Sequence, residues 1–381
     1  MNKIILIPDS FKGTLTSTQI CALFKRSIQA VLPGTEAVSI PVGDGGEGTA
    51  EAFLQACGGQ RRTLNVRGPH REEICASYAA LPDGTAVVEM AAAAGLPLCK
   101  EPLDPMTATT YGVGQLIADA LDRRCTRIIL GLGGSATNDG GCGAACALGA
   151  QFFDERGRHF IPTGGTLGRI ASMDLTALRT RLGGIPVTCM CDIDNPLAGP
   201  NGAAAVFSPQ KGASPVQVEL LDAGLCHLAD RLLAHTGRDI AALPGAGAAG
   251  GMGGGCVAFF NAALKSGIET VLDTVGFDTL ATGADLIFTG EGRIDSQSVR
   301  GKVVCGVAKR AQALGIPCVA VVGAAAEGYE PLYTQGLTAV FTINRAAVAF
   351  ETAKEHSAEN LYRTACDILR LIRNIADCQN G

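Results

Sequence analysis

Glycine most constrains how this chain of 381 residues can fold, because its fifty glycines do not form a flexible linker but gather where apolar, β-branched runs end. Strands that end in glycine loops, with helical patterns between them, are typical of an α/β protein with mostly parallel sheets. The predicted strands are residues 3–7, 37–42, 85–90, 127–132, 186–191, 285–289, 317–322 and 338–343. The predicted helices are residues 18–31, 48–57, 114–122, 216–233, 303–314 and 356–375.

Four glycine loops follow predicted strands: DGGEGT (44–49), GLGGSATNDGG (131–141), TGEGRIDSQS (289–298) and GAAAEG (323–328). One such loop alone indicates only a tight turn that needs glycine for positive φ. These loops carry acids beside glycines, and the acids would repel one another unless a cation or a metal-bound phosphate joined them. Since ligands of parallel sheets bind beyond the carboxyl ends of the strands, the loops predict a ligand site there.

The segment PDSFKGTLTS (8–17) leaves the first predicted strand through an acid, a hydroxyl, a lysine and a glycine before a helix begins. One interpretation is purely structural, with Thr14 or Thr16 as the helix N-cap and Gly13 as a turn residue. The other is an anion site, in which Ser10, Lys12 and Gly13 hold a phosphate at the helix start.

Charge and hydropathy exclude several classes of protein. The net charge is −5 and the basic residues are scattered, which argues against partners such as nucleic acid or a membrane surface. The first apolar run, in MNKIILIPDS, is too short for a signal peptide, and no uninterrupted apolar stretch reaches the length of a membrane span. We therefore expect a cytoplasmic protein.

The cysteines, the histidines and the common nucleotide-binding motifs give little further indication of function. The fifteen cysteines include no C-x-x-C, so we expect them to be reduced and without metal, and the five histidines all lie outside the glycine-rich segments. No G-x-x-x-x-G-K-[ST] occurs, and GAGAAG (245–250) follows AALP rather than a strand, so a dinucleotide-binding fold is discounted. The AAGGMGG stretch (248–254) is expected either to pack a helix closely or to let backbone approach a nucleotide.

Two resemblances to known families follow from these motifs. GLGGSAT (131–137) resembles the phosphate loop of the galactokinase and homoserine kinase superfamily, which implies that Gly133, Gly134 and Ser135 contact phosphate. Along the whole chain, PDSFKGTL, DGGEGT, VVEMAAAAGL, TTYGVG, GLGGSATNDGG, CDIDNPL, GAAAVFSPQKGA, GAGAAGGMGGG and TGEGRIDSQS together resemble the type-1 glycerate kinases. The departures are minor: Val42 and Gly43 before DGGEGT, and Ile193 within CDIDNPL.

The second resemblance implies ATP-dependent phosphorylation of D-glycerate, with 2-phosphoglycerate as the usual bacterial product. It also implies two α/β domains, one Rossmann-like with a mostly parallel sheet, and an active site in the cleft between them. We place the Rossmann-like domain at 1–66 plus 270–381 and the second domain at 67–269; residues 112–150 are compatible with either. The sequence leaves the oligomeric state open.

Phosphoryl transfer requires Mg²⁺, cationic groups at the phosphates and a carboxylate that accepts the hydroxyl proton. Asp192 follows the apolar run IPVTCMC and is the first candidate for this base, unless it is only the acid of an Asx-turn. Asp194 is the second candidate, and its alternative role is to orient water or the metal. The hard oxygen ligands predicted for a metal are Asp44, Glu47, Glu291 and Asp295.

The remaining candidates bind phosphate or substrate. Lys12 and Lys211 would neutralise phosphate, unless they are simply exposed, and Arg293 would pair with the substrate carboxylate, unless it forms a surface ion pair. Thr109, Thr110 and Gly112 would supply hydroxyls and an amide to the substrate, although Thr110 is also a candidate helix cap.

The sequence therefore predicts a glycerate kinase that uses ATP and Mg²⁺. The alternatives are a kinase of another small hydroxy acid, a dinucleotide-dependent oxidoreductase, and a non-catalytic protein that binds an acidic metabolite. For Glu89, which ends a predicted strand before an alanine-rich helix, a functional and a structural role are both open.

Overall fold

The structure is a computed structural model that describes residues 1–43, 45–299 and 301–380. Its strands are β1 Lys3–Leu6, β2 Glu36–Ser39, β3 Gln60–Arg67, β4 Glu73–Ala80, β5 Thr85–Glu89, β6 Arg127–Gly131, β7 Gln151–Phe153, β8 His159–Phe160, β9 Ser172–Asp174, β10 Val187–Met190, β11 Ala263–Lys265, β12 Leu286–Thr289, β13 Arg293–Ile294, β14 Cys318–Val322, β15 Ala324–Ala325 and β16 Leu337–Thr342. Its helices are α1 Ser17–Val31, α2 Thr49–Cys57, α3 Met90–Ala94, α4 Tyr111–Asp122, α5 Cys142–Ala147, α6 Thr176–Leu182, α7 Ala203–Phe207, α8 Pro215–Thr236, α9 Ala248–Phe260, α10 Gly267–Val275, α11 Phe277–Ala281, α12 Val303–Leu314, α13 Pro331–Thr334, α14 Phe350–Glu355 and α15 Ser357–Asn380.

The chain forms two compact units, here called unit 1 (Met1–Gly43 with Ser266–Gly381) and unit 2 (Asp44–Lys265). From the sequence we expect the chain to pass from one domain to the other at 66/67 and to return at 269/270. In the structure the first boundary lies at 43/44, more than twenty residues earlier, and the second lies at 265/266, four residues earlier. The physical reason is that β3 pairs with β4 along its whole length and is a strand of the unit 2 sheet, while α2 packs on β4 and β5 of the same sheet.

Unit 1 contains a five-stranded parallel sheet in the order β16-β14-β12-β1-β2. Counted along the chain this is the doubly wound order 2-1-3-4-5, whose topological switch point lies between the first strand and the third. Alternate residues Ile4 and Leu6 pack in one cluster with α1 and α15, where Phe24 stacks on Phe288 at 4.8 Å. Ile5, on the opposite face, is also fully buried, so both faces of the sheet are covered.

Unit 2 contains a six-stranded sheet in the order β11-β10-β6-β5-β4-β3, and a small three-stranded sheet β8-β7-β9. β11, β10, β6 and β5 run parallel, and β4 and β3 add an antiparallel edge. A large apolar cluster lies in this unit, where Leu116, Leu130, Phe152, Leu228 and Met252 are buried together.

The predicted α/β class with mostly parallel sheets is confirmed, and all eight predicted strands and six predicted helices are present with ends that differ by a few residues. Sequence patterns missed β3 and β4, whose alternation is masked by charged and small residues, and α9, whose GGMGGG core has low helix propensity. None of the helices within the described ranges is long and apolar enough to cross a membrane.

Candidate active site

The switch point of the unit 1 sheet brings two of the glycine loops together. The Asp9 amide, beyond β1, donates to the Gly290 carbonyl oxygen beyond β12 at 2.8 Å. Gly292 lies so close to the first loop that a Cβ there would be 3.3 Å from the Phe11 Cα. The PDSFKG and TGEGR segments therefore form one surface at the position where doubly wound sheets bind ligands.

The structure confirms part of the structural interpretation of the first of these loops, whereas its role as an anion site stays a prediction. Thr16 is the N-cap of α1 and forms a capping box with Gln19, so the structural interpretation holds for Thr16. The preceding residues form a tight hairpin in which the Phe11 amide donates to the Leu15 carbonyl oxygen at 2.8 Å and Gly13 has φ +79°. Lys12 and Gly13 are exposed on this hairpin, and Ser10 is half-buried beside it.

Glu291 is the most unusual acid of unit 1. Its side chain is 6% exposed, and its Oε1 is buried without a hydrogen-bond partner. Burial raises the pKa of Glu291 to about 7, with Asp9 and Asp295 acting in the same direction and Ser298 and Lys302 opposing it. A buried carboxylate oxygen without a partner, beside two further acids, suits a proton or a hard cation such as Mg²⁺.

Arg293 and Asp295 lie on the same loop as Glu291. The Arg293 Nε is 3.6 Å from Asp295 Oδ2, and the Arg293 side chain is 68% exposed. Asp295 Oδ1 accepts from the Gln297 amide at 2.9 Å, which fixes the turn. The loose, exposed ion pair leaves the guanidinium able to exchange its partner for an external carboxylate.

In unit 2, two glycine loops pack backbone against backbone. The Gly133 amide donates to the Gly45 carbonyl oxygen at 2.9 Å. A Cβ at Gly131 would lie 2.4 Å from the Gly45 carbonyl oxygen, and one at Gly133 would lie 2.6 Å from the Gly46 Cα. These glycines are required by close approach, and Gly134, which follows them, is exposed.

Asp139 organises the second half of the 131–141 loop, and the sequence analysis did not single it out. Its carboxylate has no exposed surface. Oδ2 accepts from the Thr110 amide at 2.8 Å, the Thr110 hydroxyl at 2.9 Å and the Gly143 amide at 3.2 Å, while Oδ1 accepts from the Gly141 amide at 3.1 Å. Burial raises the pKa of Asp139, and these hydrogen bonds act in the opposite direction.

This arrangement explains where the structure places the three predicted substrate residues of TTYGVG. Thr109 and Thr110 are fully buried, and both hydroxyls donate to Asp139 Oδ2. Gly112 packs against β3, where a Cβ would lie 1.9 Å from the Arg67 carbonyl oxygen. All three residues thus join α4 to its neighbours.

Lys211 is also buried, with only 3% of its side chain exposed. Its Nζ donates to Ser135 Oγ at 2.9 Å and to the Thr137 carbonyl oxygen at 2.7 Å. Burial lowers the pKa of Lys211 to about 7, and the negative charge of Asp139 partly opposes this shift. Lys211 therefore stabilises the glycine loop through two hydrogen bonds from its buried side. In the same loop, Thr137 Oγ1 and Asn138 Nδ2 are buried without a hydrogen-bond partner.

The remaining unit 2 acids differ in exposure. Asp192 and Asp194 follow β10 and are exposed at its carboxyl end, and Glu47 is exposed on its glycine loop. Glu89, in contrast, is buried and accepts from the Ala50 amide at 2.6 Å, so its carboxylate caps the start of α2. This contact supplies a structural role for Glu89.

The AAGGMGG stretch packs closely at the start of α9, as the first of its two alternatives expects, but Ala249, Gly250 and Gly251 have φ of +53°, +66° and +88° and interrupt the helix with a kink. A Cβ at Gly250 would lie 1.9 Å from the Thr137 carbonyl oxygen. GAGAAG follows a turn and not a strand.

The predicted site residues fall into two groups by unit. Those of unit 1 are Ser10, Lys12, Gly13, Glu291, Arg293 and Asp295. Those of unit 2 are Glu47, Thr109, Thr110, Gly112, Gly133, Gly134, Ser135, Asp192, Asp194 and Lys211. Asp44 lies outside the described residues. Among the described residues, no three His, Cys, Asp or Glu side chains are grouped so as to hold a metal ion by themselves.

Comparison with known proteins gives consistent matches along the chain. The model of the glycerate kinase family matches residues 4–373. A glycerate kinase of Bacillus subtilis (strain 168) is 44% identical over 97% of this chain and 98% of its own. The glycerate 2-kinase of Escherichia coli (strain K12) is 40% identical over 96% of this chain and 97% of its own. A crystal structure described as a glycerate kinase 2 from Salmonella typhimurium LT2 superposes with a TM-score of 0.88 at 38% identity, covering 99% of both chains.

Proposed function

The chain belongs to the glycerate kinase family and is a phosphotransferase, and from this premise we propose that it transfers the γ-phosphoryl group of ATP to the 2-hydroxyl of D-glycerate, giving 2-phosphoglycerate and ADP. The choice of the 2-hydroxyl is supported by the Escherichia coli relative, which is named glycerate 2-kinase. A cytoplasmic location remains a prediction from the sequence.

The observation that carries the proposal is the surface at the switch point of unit 1. There an exposed lysine, Lys12, and a glycine hairpin stand beside Glu291, whose buried Oε1 has no hydrogen-bond partner. Phosphoryl transfer depends on positioning and charge neutralisation, and a cation-binding acid beside a phosphate-binding loop supplies both.

We assign Mg²⁺ to the carboxylates of Glu291 and Asp295, with Glu47 and Asp44 as the further candidates. The donor set fits this ion, because Mg²⁺ in such enzymes is held by one or two carboxylates together with substrate phosphates and water. When bound, Mg²⁺ neutralises charge on the transferring phosphoryl group. Lys12, Ser10 and Gly13 bind the phosphate oxygens through an ammonium, a hydroxyl and an amide.

In unit 2 the exposed Gly134 and its neighbour Gly133 offer backbone amides to phosphate, and Ser135 and Lys211 keep the loop in place. Asp192 accepts the proton of the substrate hydroxyl as general base, and Asp194 orients the same group. Arg293 binds the substrate carboxylate. Thr109, Thr110 and Gly112 act as positioning residues through Asp139 and β3, because they have no surface to offer to a ligand.

A substrate panel tests the proposal. ADP release is measured with D-glycerate, L-glycerate, glycolate and D-lactate, each with ATP and Mg²⁺. Turnover with D-glycerate at least about a hundredfold above glycolate and D-lactate is expected, since both lack the 3-hydroxyl and a site that hydrogen-bonds a substrate hydroxyl strongly rejects analogues that lack it. Lower turnover is also expected with L-glycerate, because the enantiomer, bound by its carboxylate, presents its 2-hydroxyl in a different direction. Equal turnover with D-lactate, or none with D-glycerate, would contradict the assigned substrate.

A further inference from the structure

Unit 2 contains a cavity of about 370 Å³ between α2, β4 and the residues that follow β5. Its walls include Leu54 of α2, Ala91 and Ala92 of α3, and Leu98. Its volume lies in the range of small-molecule sites, which combine mostly apolar walls with a few polar groups that fix orientation. Of the residues given a ligand-binding role above, Glu47 lies on its wall, and Glu89, which caps α2, also lines it.

One wall of the cavity is a strand edge that has no neighbouring strand. β4 pairs with β3 over its whole length, but with β5 only through Ala79 opposite Val87 and Ala80 opposite Ala86. Cys75, Ala76, Ser77 and Tyr78, which precede that pairing, line the cavity. Within the described residues, no further rung joins β4 to β5.

The register shows which main-chain groups face the cavity. The Leu81 amide donates to the Thr85 carbonyl oxygen at 2.8 Å, so 81 and 85 form a hydrogen-bonded pair. Such pairs recur at every second residue of an antiparallel ladder, so the next pairs toward the cavity would be 79 with 87 and 77 with 89. The amide and carbonyl of Ser77, and by the same alternation those of Cys75, therefore point away from β3 and into the gap.

The gap opens beyond Val87, where β5 stays paired with β6 as far as Glu89 opposite Gly131 but no longer pairs with β4. The Glu89 carboxylate accepts from the Ala50 amide at 2.6 Å, and the chain turns directly into α3. A continued β4–β5 ladder would have set Glu89 beside Ser77, and both residues instead line the cavity. A ligand there meets alternating amide donors and carbonyl acceptors on one side and alanine and leucine side chains on the other.

The net negative charge of the residues that line the cavity favours a neutral ligand over an anionic one. Glu47, Glu51 and Glu89 outnumber Arg61, which is already paired with Glu51. A phosphate or a carboxylate is therefore disfavoured inside the cavity, whereas a neutral planar ring with adjacent donor and acceptor atoms fits both its walls and its open strand edge. A purine base has this chemistry.

We propose that the cavity between α2 and β4 binds the purine base of the nucleotide substrate through the main-chain groups of Cys75 and Ser77. This inference rests on the proposed function, which supplies the nucleotide. Glu47 and Gly48 line the cavity, and the same loop contacts Gly133 through Gly45. The loop of Gly133 and Gly134, which we assign to the phosphates, thus contacts the loop that forms part of the wall of the base site.

A pair of proline variants tests the proposal. Ser77→Pro removes the amide that faces the cavity but no main-chain hydrogen bond to β3, because proline is tolerated where the N–H is outside the ladder. The hydrogen bond between the Ser77 and Thr63 hydroxyls, 2.9 Å, is lost equally in Ser77→Pro and in Thr63→Pro. Thr63→Pro is the matched control: Thr63 lies opposite Ser77 on the edge strand β3, so its amide points to the outer edge of the sheet. Ala92→Leu narrows the cavity from the opposite wall.

The measurement is calorimetric binding of two probes, ADP and inorganic tripolyphosphate, which has no base. Ser77→Pro and Ala92→Leu are each expected to weaken ADP binding about tenfold or more relative to Thr63→Pro, since an unpaired buried polar group costs about that much. Tripolyphosphate binding is expected to stay within about twofold in all variants, because the change is confined to the base.

The outcomes distinguish a failure of the base site from a failure of the proposed function. ADP affinities that match the Thr63→Pro control, or tripolyphosphate weakened as much as ADP, would overturn the base site. If Ser77→Pro lacks a cooperative unfolding transition, Ala92→Leu decides by the same criterion. Absence of D-glycerate phosphorylation by the unmodified protein would overturn the proposed function, whereas selective loss of ADP binding would still support a purine site.

Discussion

Replacing Asp139 with asparagine tests whether this buried carboxylate holds α4 and the glycine loop of unit 2 together. The substitution keeps the shape of the side chain but exchanges one accepting oxygen for an NH₂ group that only donates. Because Oδ2 accepts from Thr110 and Gly143, the less costly orientation places the new NH₂ at the Oδ1 position, facing the Gly141 amide.

The magnitude follows from the groups left unpaired. The Gly141 amide loses its acceptor, and at least one amide hydrogen of the new side chain is buried without one. At about 1–3 kcal/mol for each buried unsatisfied group, the loss is about 2–6 kcal/mol in the free energy of unfolding. Removal of a buried charge offsets part of this cost, so we expect the lower half of the range. For a unit of this size the Tm falls by roughly 5–12 °C.

Thermal unfolding followed by circular dichroism measures the effect, with Asp83→Asn as the matched control. Asp83 also accepts an amide and a hydroxyl from one residue, Thr85, at 2.9 Å each, but its side chain is 48% exposed. Water can satisfy the groups that this control releases, so its Tm is expected to change by less than about 2 °C. Equal shifts in the two variants would refute the reasoning, because burial would then not determine the cost.

Three further predictions concern the proposed catalytic groups. Asp192→Asn is expected to lower kcat by about 10²–10⁴ with the KM for D-glycerate and the Tm nearly unchanged, and a variant with normal turnover would remove Asp192 as the base. Lys12→Ala is expected to raise the KM for ATP, whereas Lys25→Ala, an exposed lysine on α1, is not; activity should vanish with a chelator and return with Mg²⁺. The pKa of Glu291 is raised to about 7 from 4.5, so between these pH values the folded state holds a proton that the unfolded state has released. The free energy of unfolding in chelator should therefore fall from pH 4.5 to pH 7, by at most about 3 kcal/mol, and urea titrations of Glu291→Gln should lack this part of the slope.

The sequence predicted the parallel strands well because their apolar, β-branched runs are buried on both faces and end in glycine. The glycines also located the loops. Gly131 and Gly133 are required there because two backbones approach each other too closely for a Cβ atom. What the sequence did not predict is the state of the side chains in those loops. The sequence alone does not distinguish a Lys211 or a Thr110 that binds phosphate from one that lies near a buried acid.

Long-range contacts account for the other differences. Asp139 lies 29 residues from Thr110, and no local pattern joins an acid of NDGG to a threonine of TTYGVG. A signal was nevertheless present, because an acid beside two glycines that precede a helix is a frequent acceptor of backbone amides. Glu89 left two roles open because its partner, the Ala50 amide, belongs to a different helix.

Identification of the product tests the central claim most directly. D-Glycerate, ATP and Mg²⁺ are supplied to the protein, and phosphoenolpyruvate formation is followed with enolase alone and with enolase plus phosphoglycerate mutase. Transfer to the 2-hydroxyl predicts the full signal with enolase alone, in amounts equal to the ADP released. A signal that requires the mutase would identify 3-phosphoglycerate and contradict the assigned position, and ADP release without either signal would contradict phosphorylation of glycerate altogether.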